Sequence, residues 1–206
     1  MRSMIKGLYA VTPDGLGTEL LCEKVSAALQ GGATMLQYRN KAADASLRLR
    51  QATALLALCR SFNVPLIIND HLDLCATIDA DGLHLGATDC DLGAARRLLG
   101  EHKILGASCY NRLDLAVQAE AAGASYVAFG ACFSSSTKPN APLASLDLFT
   151  RAKKELSVPA VAIGGITLQN AAQVLDAGAD AIAVVNALFG ADDVKSTTQQ
   201  FSQLFT

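Results

Sequence analysis

The sequence predicts an α/β protein with the (β/α)8-barrel (TIM-barrel) fold, and three observations favour it. Short apolar segments alternate with amphipathic helical patterns from one end of the chain to the other. The 206 residues divide into eight such units of roughly 25 residues each. One kind of loop recurs at 30–36, 121–127 and 176–182: a glycine ends a helical pattern, and an apolar segment follows.

Eight segments have the composition of buried parallel strands. Each is short, rich in Val, Ile, Leu, Ala or aromatic residues, and bounded by Gly, Pro, Asp or Asn. Most lack strict alternation of apolar and polar residues, as expected for strands that are buried on both faces. In chain order the predicted strands are Gly7–Val11, Thr34–Tyr38, Leu66–Ile68, Gly82–Leu85, Lys103–Ala107, Tyr126–Phe129, Ala160–Ile163 and Ala181–Val185.

Helical spacing separates these strands. Apolar residues at 52, 55, 56 and 59 fall on one helix face, and Asp44 is the predicted N-cap of that helix. A second such pattern begins at Leu168, and Gly178 follows it where a C-cap is expected. No Pro/Gly/Ser-rich linker interrupts the chain, so one catalytic barrel domain is predicted over residues 1–206. The alternative fold is a doubly wound open sheet. To bind a dinucleotide, that fold requires a Gly-x-Gly-x-x-Gly turn after the first strand, and residues 12–17 do not contain one.

The composition excludes several classes of protein. Apolar residues make up 51% of the chain and charged residues 17%, which is too apolar for a disordered chain. A net charge of −2 lacks the basic bias of nucleic-acid-binding proteins, so no nucleic acid partner is expected. No run reaches the ~18 apolar residues of a membrane span, and residues 1–11 are interpreted as a strand rather than a signal peptide. We therefore expect a cytoplasmic protein without membrane contact.

The cysteines follow neither a metal-binding nor a disulfide pattern. They contain no Cys-x-x-Cys pair, and no histidine cluster accompanies them. Reduced thiols used in packing are predicted for all six: Cys22, Cys59, Cys75, Cys90, Cys109 and Cys132.

Polar residues follow the predicted strands mostly at their C-terminal ends, which meet at one face of a barrel. Gln37, Arg39 and Lys41 have strand spacing, so their side chains are predicted to share one side. An amide and two cations in one cavity suit a polyanion such as diphosphate. The alternative is that the two cations pair with carboxylates at the barrel rim.

Two carboxylates, Asp70 and Asp89, follow the third and fourth strands. Oxygen ligands from adjacent strand ends are suited to Mg²⁺ bound to phosphate oxygens. The alternative role for Asp70 is to cap the next helix.

Two loops have the composition of phosphate-binding loops. Residues 134–138 combine four hydroxyl side chains with Lys138 in the longest connection, and Gly164 with Gly165 is predicted to open a helix after the seventh strand. The three histidines are assigned no chemistry, and His84 is predicted to be a core histidine. No serine or cysteine lies in a nucleophile elbow with a matched base, so covalent catalysis is disfavoured.

Together the motifs resemble those of the thiamine-phosphate synthase family, and the resemblance covers nearly the whole chain. Each motif is short, but all eight occur in the family's order. They are residues 7–12, 37–41, 68–70, 82–86 with Asp89, 106–108, 133–139, 162–166 and 183–187. The sequence departs from the family pattern at three positions: Ala87 replaces the usual Gln, Ser135 the usual Thr and Asn186 the usual Ser.

The resemblance implies a role for each matching residue. The pyrimidine diphosphate substrate would be bound by Gln37, Tyr38, Arg39, Asn40, Lys41, Asn69, Ser108 and Lys138, of which Arg39, Lys41, Ser108 and Lys138 would be catalytic. Mg²⁺, the implied cofactor, would be held by Asp70 and Asp89. The phosphate of the thiazole substrate would be bound by Ser135, Ser136, Thr137, Gly165, Val185 and Asn186.

The implied reaction joins 4-amino-2-methyl-5-(diphosphomethyl)pyrimidine to 4-methyl-5-(2-phosphoethyl)thiazole, in its carboxylated form, and releases diphosphate. Two alternatives remain. A thiazole tautomerase-like relative would have a histidine after the fifth strand, where this chain has residues 108–111, Ser-Cys-Tyr-Asn. A non-catalytic sensor of thiamine phosphate would have lost part of the Mg²⁺ pair, whereas this chain has both carboxylates. Apolar helix faces make a homodimer a further expectation.

Overall fold

Eight parallel strands close into a barrel in the computed structural model, which describes residues 5–86, 90–134 and 143–205. Each strand pairs with the next along the chain, and the first strand pairs with the eighth. The strands are β1 (Gly7–Val11), β2 (Met35–Tyr38), β3 (Leu66–Asn69), β4 (Gly82–Leu85), β5 (Ile104–Tyr110), β6 (Tyr126–Phe129), β7 (Ala160–Ile163) and β8 (Ala181–Val184). The predicted (β/α)8 barrel is confirmed.

Helices follow the strands and cover the outside of the barrel. They are α1 (Thr18–Gln30), α2 (Ala45–Ser61), α3 (Leu72–Thr77), α4 (Leu92–Leu99), α5 (Leu113–Ala121), α6 (Asp147–Glu155), α7 (Ala171–Asp176), α8 (Asn186–Phe189) and α9 (Val194–Ser202), with a 3-10 turn at Gln203–Phe205. Asp44 caps α2 as predicted, because its carboxylate accepts the backbone N–H of Leu47. Within the described ranges, no helix combines the length and apolar content needed to cross a bilayer.

Three strand boundaries differ from the prediction in ways that affect the site. β3 includes Asn69, and β5 continues to Tyr110, with a register shift against β6 between Ser108 and Tyr110. Such a bulge adds a residue without ending the pairing, and it changes the direction of nearby side chains. β8 ends at Val184, one residue earlier than predicted, and Asn186 is the first residue of α8.

Alternation along each strand separates two apolar layers. Leu8 and Ala10 of β1 belong to the large layer between strands and helices, whereas Tyr9 and Val11 belong to a smaller cluster inside the barrel. The interior cluster also includes Met35, Ile67, Tyr126 and Val161. The barrel is therefore filled by side chains, as this fold requires, and a ligand has access only at an end.

The cysteine prediction is confirmed for most of the thiols. None of the six cysteines, all within the described residues, forms a disulfide. Cys59, Cys75, Cys109 and Cys132 are buried, and Cys22 is half-buried. Cys90, by contrast, is exposed and is not a packing thiol.

Burial should make four of these thiols react far more slowly with a thiol reagent than the exposed Cys90 does. Desolvation raises the pKa of Cys59 and Cys109 to about 12, and that of Cys75 and Cys132 to about 11, from 9.0. Because the thiolate is the reacting form, its fraction at pH 8 falls about 100-fold or more in these four groups. We expect a disulfide reagent at pH 8 to modify Cys90 fastest, and the four buried thiols only when the chain unfolds. Cys90→Ser should remove the fastest phase; persistence of that phase would contradict the assignment.

Candidate active site

The polar strand ends meet at one mouth of the barrel, which β2, β3 and β5 supply with side chains. Asn69 is the last residue of β3, and Ser108 lies in β5 just before the bulge. Both are partly exposed, as are Arg39 and Asp70. These residues lie at the C-terminal ends of parallel strands, where barrel enzymes place their active sites.

Residues 39–41 are held by the loop that follows β1. Thr12 Oγ1 accepts the backbone N–H of Arg39 at 2.9 Å and donates to the Arg39 carbonyl oxygen at 2.9 Å. One carboxylate oxygen of Asp14 pairs with Arg39 Nη1 at 2.8 Å, and the other accepts the backbone N–H of Lys41 at 2.7 Å. Asp14 was missed in the sequence, although its place three residues after a strand end was a usable signal.

The second cation of the segment pairs with a carboxylate at the end of the neighbouring strand. Lys41 Nζ lies 3.2 Å from Asp70 Oδ2, and 61% of the Lys41 side chain is exposed against 22% of Asp70. Both cations therefore pair with rim carboxylates, as the alternative interpretation of Arg39 and Lys41 predicted. The alternation of side-chain direction along a strand does not apply to Arg39 and Lys41, because β2 ends at Tyr38.

The backbone of Asp70 is unusual and its side chain caps no helix. Its φ of +63° lies in the left-handed region, which non-glycine residues adopt rarely and mostly as Asn or Asp. The N-cap of α3 is His71, which makes no side-chain cap bond, so the capping role considered for Asp70 is wrong. A carboxylate in this conformation at the mouth is available for a ligand, and such backbone geometry is often found at functional sites.

Two residues of the predicted pyrimidine set direct their side chains toward α2. The Tyr38 hydroxyl donates to Gln51 Oε1 at 2.8 Å, and Asn40 Nδ2 donates to the same oxygen at 3.1 Å. Tyr38 belongs to the layer between strands and helices, and its pKa is raised to about 12 by burial. Tyr38 therefore lies between the barrel and the helices rather than inside the barrel.

A chain of hydrogen bonds crosses the barrel interior below the mouth. Gln37 Nε2 donates to Tyr9 Oη at 2.8 Å, and Tyr9 Oη lies 2.8 Å from Tyr126 Oη. Tyr126 Oη lies 2.9 Å from His84 Nδ1, and His84 Nε2 lies 2.9 Å from Ser108 Oγ. Two residues predicted for the site, Gln37 and Ser108, are thus connected through three that were not.

Gly106 makes room for this chain. An added Cβ at Gly106 would lie 2.1 Å from Cζ of Tyr126, so only glycine lets the phenol ring lie flat across β5. The Tyr126 ring stacks on His84 with centroids 5.6 Å apart and meets Tyr9 edge-to-face at 5.9 Å. His84, Tyr9 and Tyr126 were detectable in the sequence as polar or hydroxyl-bearing residues at inward positions of strands.

The loops after β6 and β7 are joined to each other at the mouth. Cys132 N–H donates to the Ile163 carbonyl at 2.9 Å, and Phe133 N–H donates to the Gly164 carbonyl at 3.0 Å. Gly165 has φ +64°, and a Cβ there would lie 2.5 Å from the Phe133 carbonyl oxygen. Gly165 therefore borders residue 134, where the hydroxyl-rich loop begins.

One prediction about this region is wrong. Gly164 and Gly165 do not open a helix, because α7 begins only at Ala171, with Asn170 as its N-cap. Asn170 instead closes a turn, in which its side chain binds Gly165 O and Thr167 N. The short helix that does begin at a strand end is α8, which starts at Asn186 directly after Val185.

Several predicted site residues lie outside the described residues. They are Asp89, Ser135, Ser136, Thr137 and Lys138, together with Ala87. Within the part of the chain that the structure describes, no group of three or more His, Cys, Asp or Glu side chains could hold a metal ion. Among the described residues of the predicted metal pair, Asp70 supplies one carboxylate at the mouth.

Comparisons with known proteins identify the family and the fold. Residues 8–188 match the family model described as thiamine monophosphate synthase. The chain is 58% identical over 201 residues to a thiamine-phosphate synthase of Methylobacillus flagellatus, covering 98% of this chain and 96% of the relative. It is 52% identical to a thiamine-phosphate synthase of Nitrosomonas eutropha, covering 99% and 96%. A solved thiamine phosphate pyrophosphorylase of Pyrococcus furiosus superposes with a TM-score of 0.87 at 33% identity, covering 99% of this chain and 96% of the other.

Proposed function

This chain belongs to the thiamine monophosphate synthase family, and we propose that its barrel mouth joins a pyrimidine diphosphate to a thiazole phosphate. The product is thiamine phosphate, and diphosphate is released; the carboxylated form of the thiazole would also lose its carboxyl group as CO2. The observation that carries the proposal is the grouping of Arg39, Lys41, Asp70 and Ser108 at the C-terminal end of the barrel.

The cations at the mouth are suited to a departing diphosphate. The bond between the pyrimidine methylene carbon and the diphosphate oxygen breaks, and the electron pair leaves with diphosphate. A bond from the thiazole nitrogen to the same carbon forms. Arg39 and Lys41 now pair with Asp14 and Asp70, so a polyanion can take these contacts by exchange rather than by uncovering buried charge.

We assign the metal to Asp70 and Asp89, with Mg²⁺ as the ion. When bound, Mg²⁺ would neutralise negative charge on the diphosphate oxygens. The fit rests on Asp70, whose carboxylate is partly exposed at the mouth and beside Lys41. Lys138 would add a further cation, and no general base is needed, since the ring nitrogen of the thiazole attacks without losing a proton.

The thiazole phosphate is assigned to the opposite side of the mouth. Ser135, Ser136 and Thr137 follow the loop that borders Gly165, and Val185 with Asn186 begins α8 after β8. Loops after the seventh and eighth strands, with a short extra helix, are the usual phosphate site of this fold. The homodimer and the cytoplasmic location stay predictions.

Turnover with both substrates tests the proposal. We expect thiamine phosphate and diphosphate to form in equal amounts with Mg²⁺, and the rate to fall on the order of 10²-fold or more when the metal is chelated. Omission of the pyrimidine diphosphate is the matched control, since a tautomerase-like enzyme would still convert the thiazole. Binding of thiamine phosphate without any turnover would favour the sensor and contradict the proposal.

A further inference from the structure

Proton counting gives the buried chain a direction. Gln37 Nε2 can only donate, so Tyr9 Oη accepts from it. Tyr9 has one hydroxyl hydrogen, and among the described residues its remaining partner is Tyr126 Oη at 2.8 Å. Tyr9 therefore donates to Tyr126, and the Tyr126 hydroxyl hydrogen is directed at His84 Nδ1 at 2.9 Å.

This direction determines the tautomer of His84. Nδ1 accepts a hydrogen bond, so it carries no proton, and the ring proton is on Nε2. Nε2–H lies 2.9 Å from Ser108 Oγ and donates to it. The Ser108 hydroxyl hydrogen is then available to a bound ligand, and Gln37 Oε1 is left as an acceptor.

The surroundings hold the chain in place. Tyr9 and Tyr126 are 2% and 0% exposed, so a hydroxyl that lost its partner would have no water to replace it. Burial raises the pKa of both phenols above 10.0, which keeps their hydroxyl hydrogens in place at neutral pH. The ring contacts among Tyr9, Tyr126 and His84 restrict rotation, and Gly106 makes space for them.

We infer that Tyr9, Tyr126 and His84 are positioning residues, which act through a one-way hydrogen-bond chain to set Ser108 as a hydrogen-bond donor and Gln37 Oε1 as an acceptor for the substrate. The inference rests on the proposed function for the identity of that substrate. The chain itself consists of protein groups alone, so it can be tested without turnover.

Nitrogen-15 NMR of the histidine-labelled protein, without ligand, reads the tautomer directly. We expect His84 to show an unprotonated Nδ1 and a protonated Nε2 with a resolved N–H proton, and His71→Gln with His102→Gln identifies its signals. Tyr38→Phe is the matched control, because it removes a buried phenol hydroxyl on the outer side of β2 and should leave the His84 signals unchanged. A proton on Nδ1, or signals averaged between tautomers, would overturn the inference.

Two substitutions of His84 separate positioning from packing. In His84→Gln the amide nitrogen can replace Nε2–H and still donate to Ser108, whereas in His84→Asn the shorter amide replaces Nδ1 and loses that donor. We expect kcat of the Asn variant to fall on the order of 10-fold below that of the Gln variant. Equal losses would show that His84 acts only in packing. Absence of turnover in the wild type would contradict the proposed function. The NMR result would still show whether the hydrogen-bond chain has the inferred direction.

Discussion

Asp70→Asn is expected to lower kcat on the order of 10²-fold or more while the fold stays intact. The substitution removes the negative charge proposed to hold Mg²⁺ and keeps the shape of the side chain. Asparagine also tolerates the left-handed conformation that Asp70 adopts at φ +63°, whereas alanine would add backbone strain. Loss of activity in this variant therefore reports on charge and not on the loop.

Asp73→Asn is the matched control for Asp70→Asn. Asp73 is exposed in the first turn of α3, three residues further along the same rim. Asp73→Asn removes the same negative charge from the same rim, so any general electrostatic effect on diphosphate binding appears in both variants. Steady-state kinetics across a range of Mg²⁺ concentrations compare the two. If Asp70→Asn keeps kcat within about twofold of the Asp73→Asn value at saturating metal, Asp70 is not a metal ligand.

Arg96→Met is expected to destabilise the protein by about 3 kcal/mol or more. Arg96 lies in α4 and is 9% exposed, at the end of the barrel away from the mouth. Its guanidinium donates to the carbonyl oxygens of Gly100, Lys103 and Gly123, at distances between 2.7 and 3.0 Å, and to Ser125 Oγ at 3.1 Å.

The size of this effect follows from what methionine leaves behind. Methionine fills a similar volume but donates no hydrogen bond, so three carbonyl oxygens lose a charged donor in a place with little water. These carbonyls belong to the loops that lead into β5 and β6. The substitution therefore removes the side-chain hydrogen bonds by which Arg96 joins α4 to both loops.

Arg97→Met is the matched control for Arg96→Met. The neighbouring Arg97 is exposed in the same last turn of α4, and its replacement removes the same charge. Urea unfolding of both variants gives the two free energies of unfolding. We expect Arg97→Met to change stability by less than about 1 kcal/mol. An equally small change for Arg96→Met would mean that the carbonyls find other donors.

Local patterns were sufficient for most of the secondary structure. Four strands have the predicted bounds, and the others differ by one to three residues, because alternation and bounding glycines depend on neighbours in the chain. The order of polar residues after strands also placed Arg39, Asp70 and Ser108 at one end of the barrel, since all strand C-termini of a barrel lie at that end. The helix after Gly165 was misplaced because a double glycine does not specify the turn that Asn170 closes.

The sequence by itself determined the barrel and the family, because both depend on periodicity and on residue type. Only the tertiary structure decided which groups are partners. Asp14 with Arg39, Lys41 with Asp70, and the path from Gln37 through Tyr9, Tyr126 and His84 to Ser108 all join residues far apart in the chain. The direction of this hydrogen-bond chain and the tautomer of His84 follow from these contacts, since one hydroxyl hydrogen can be donated to only one acceptor. No local sequence pattern shows where that acceptor lies.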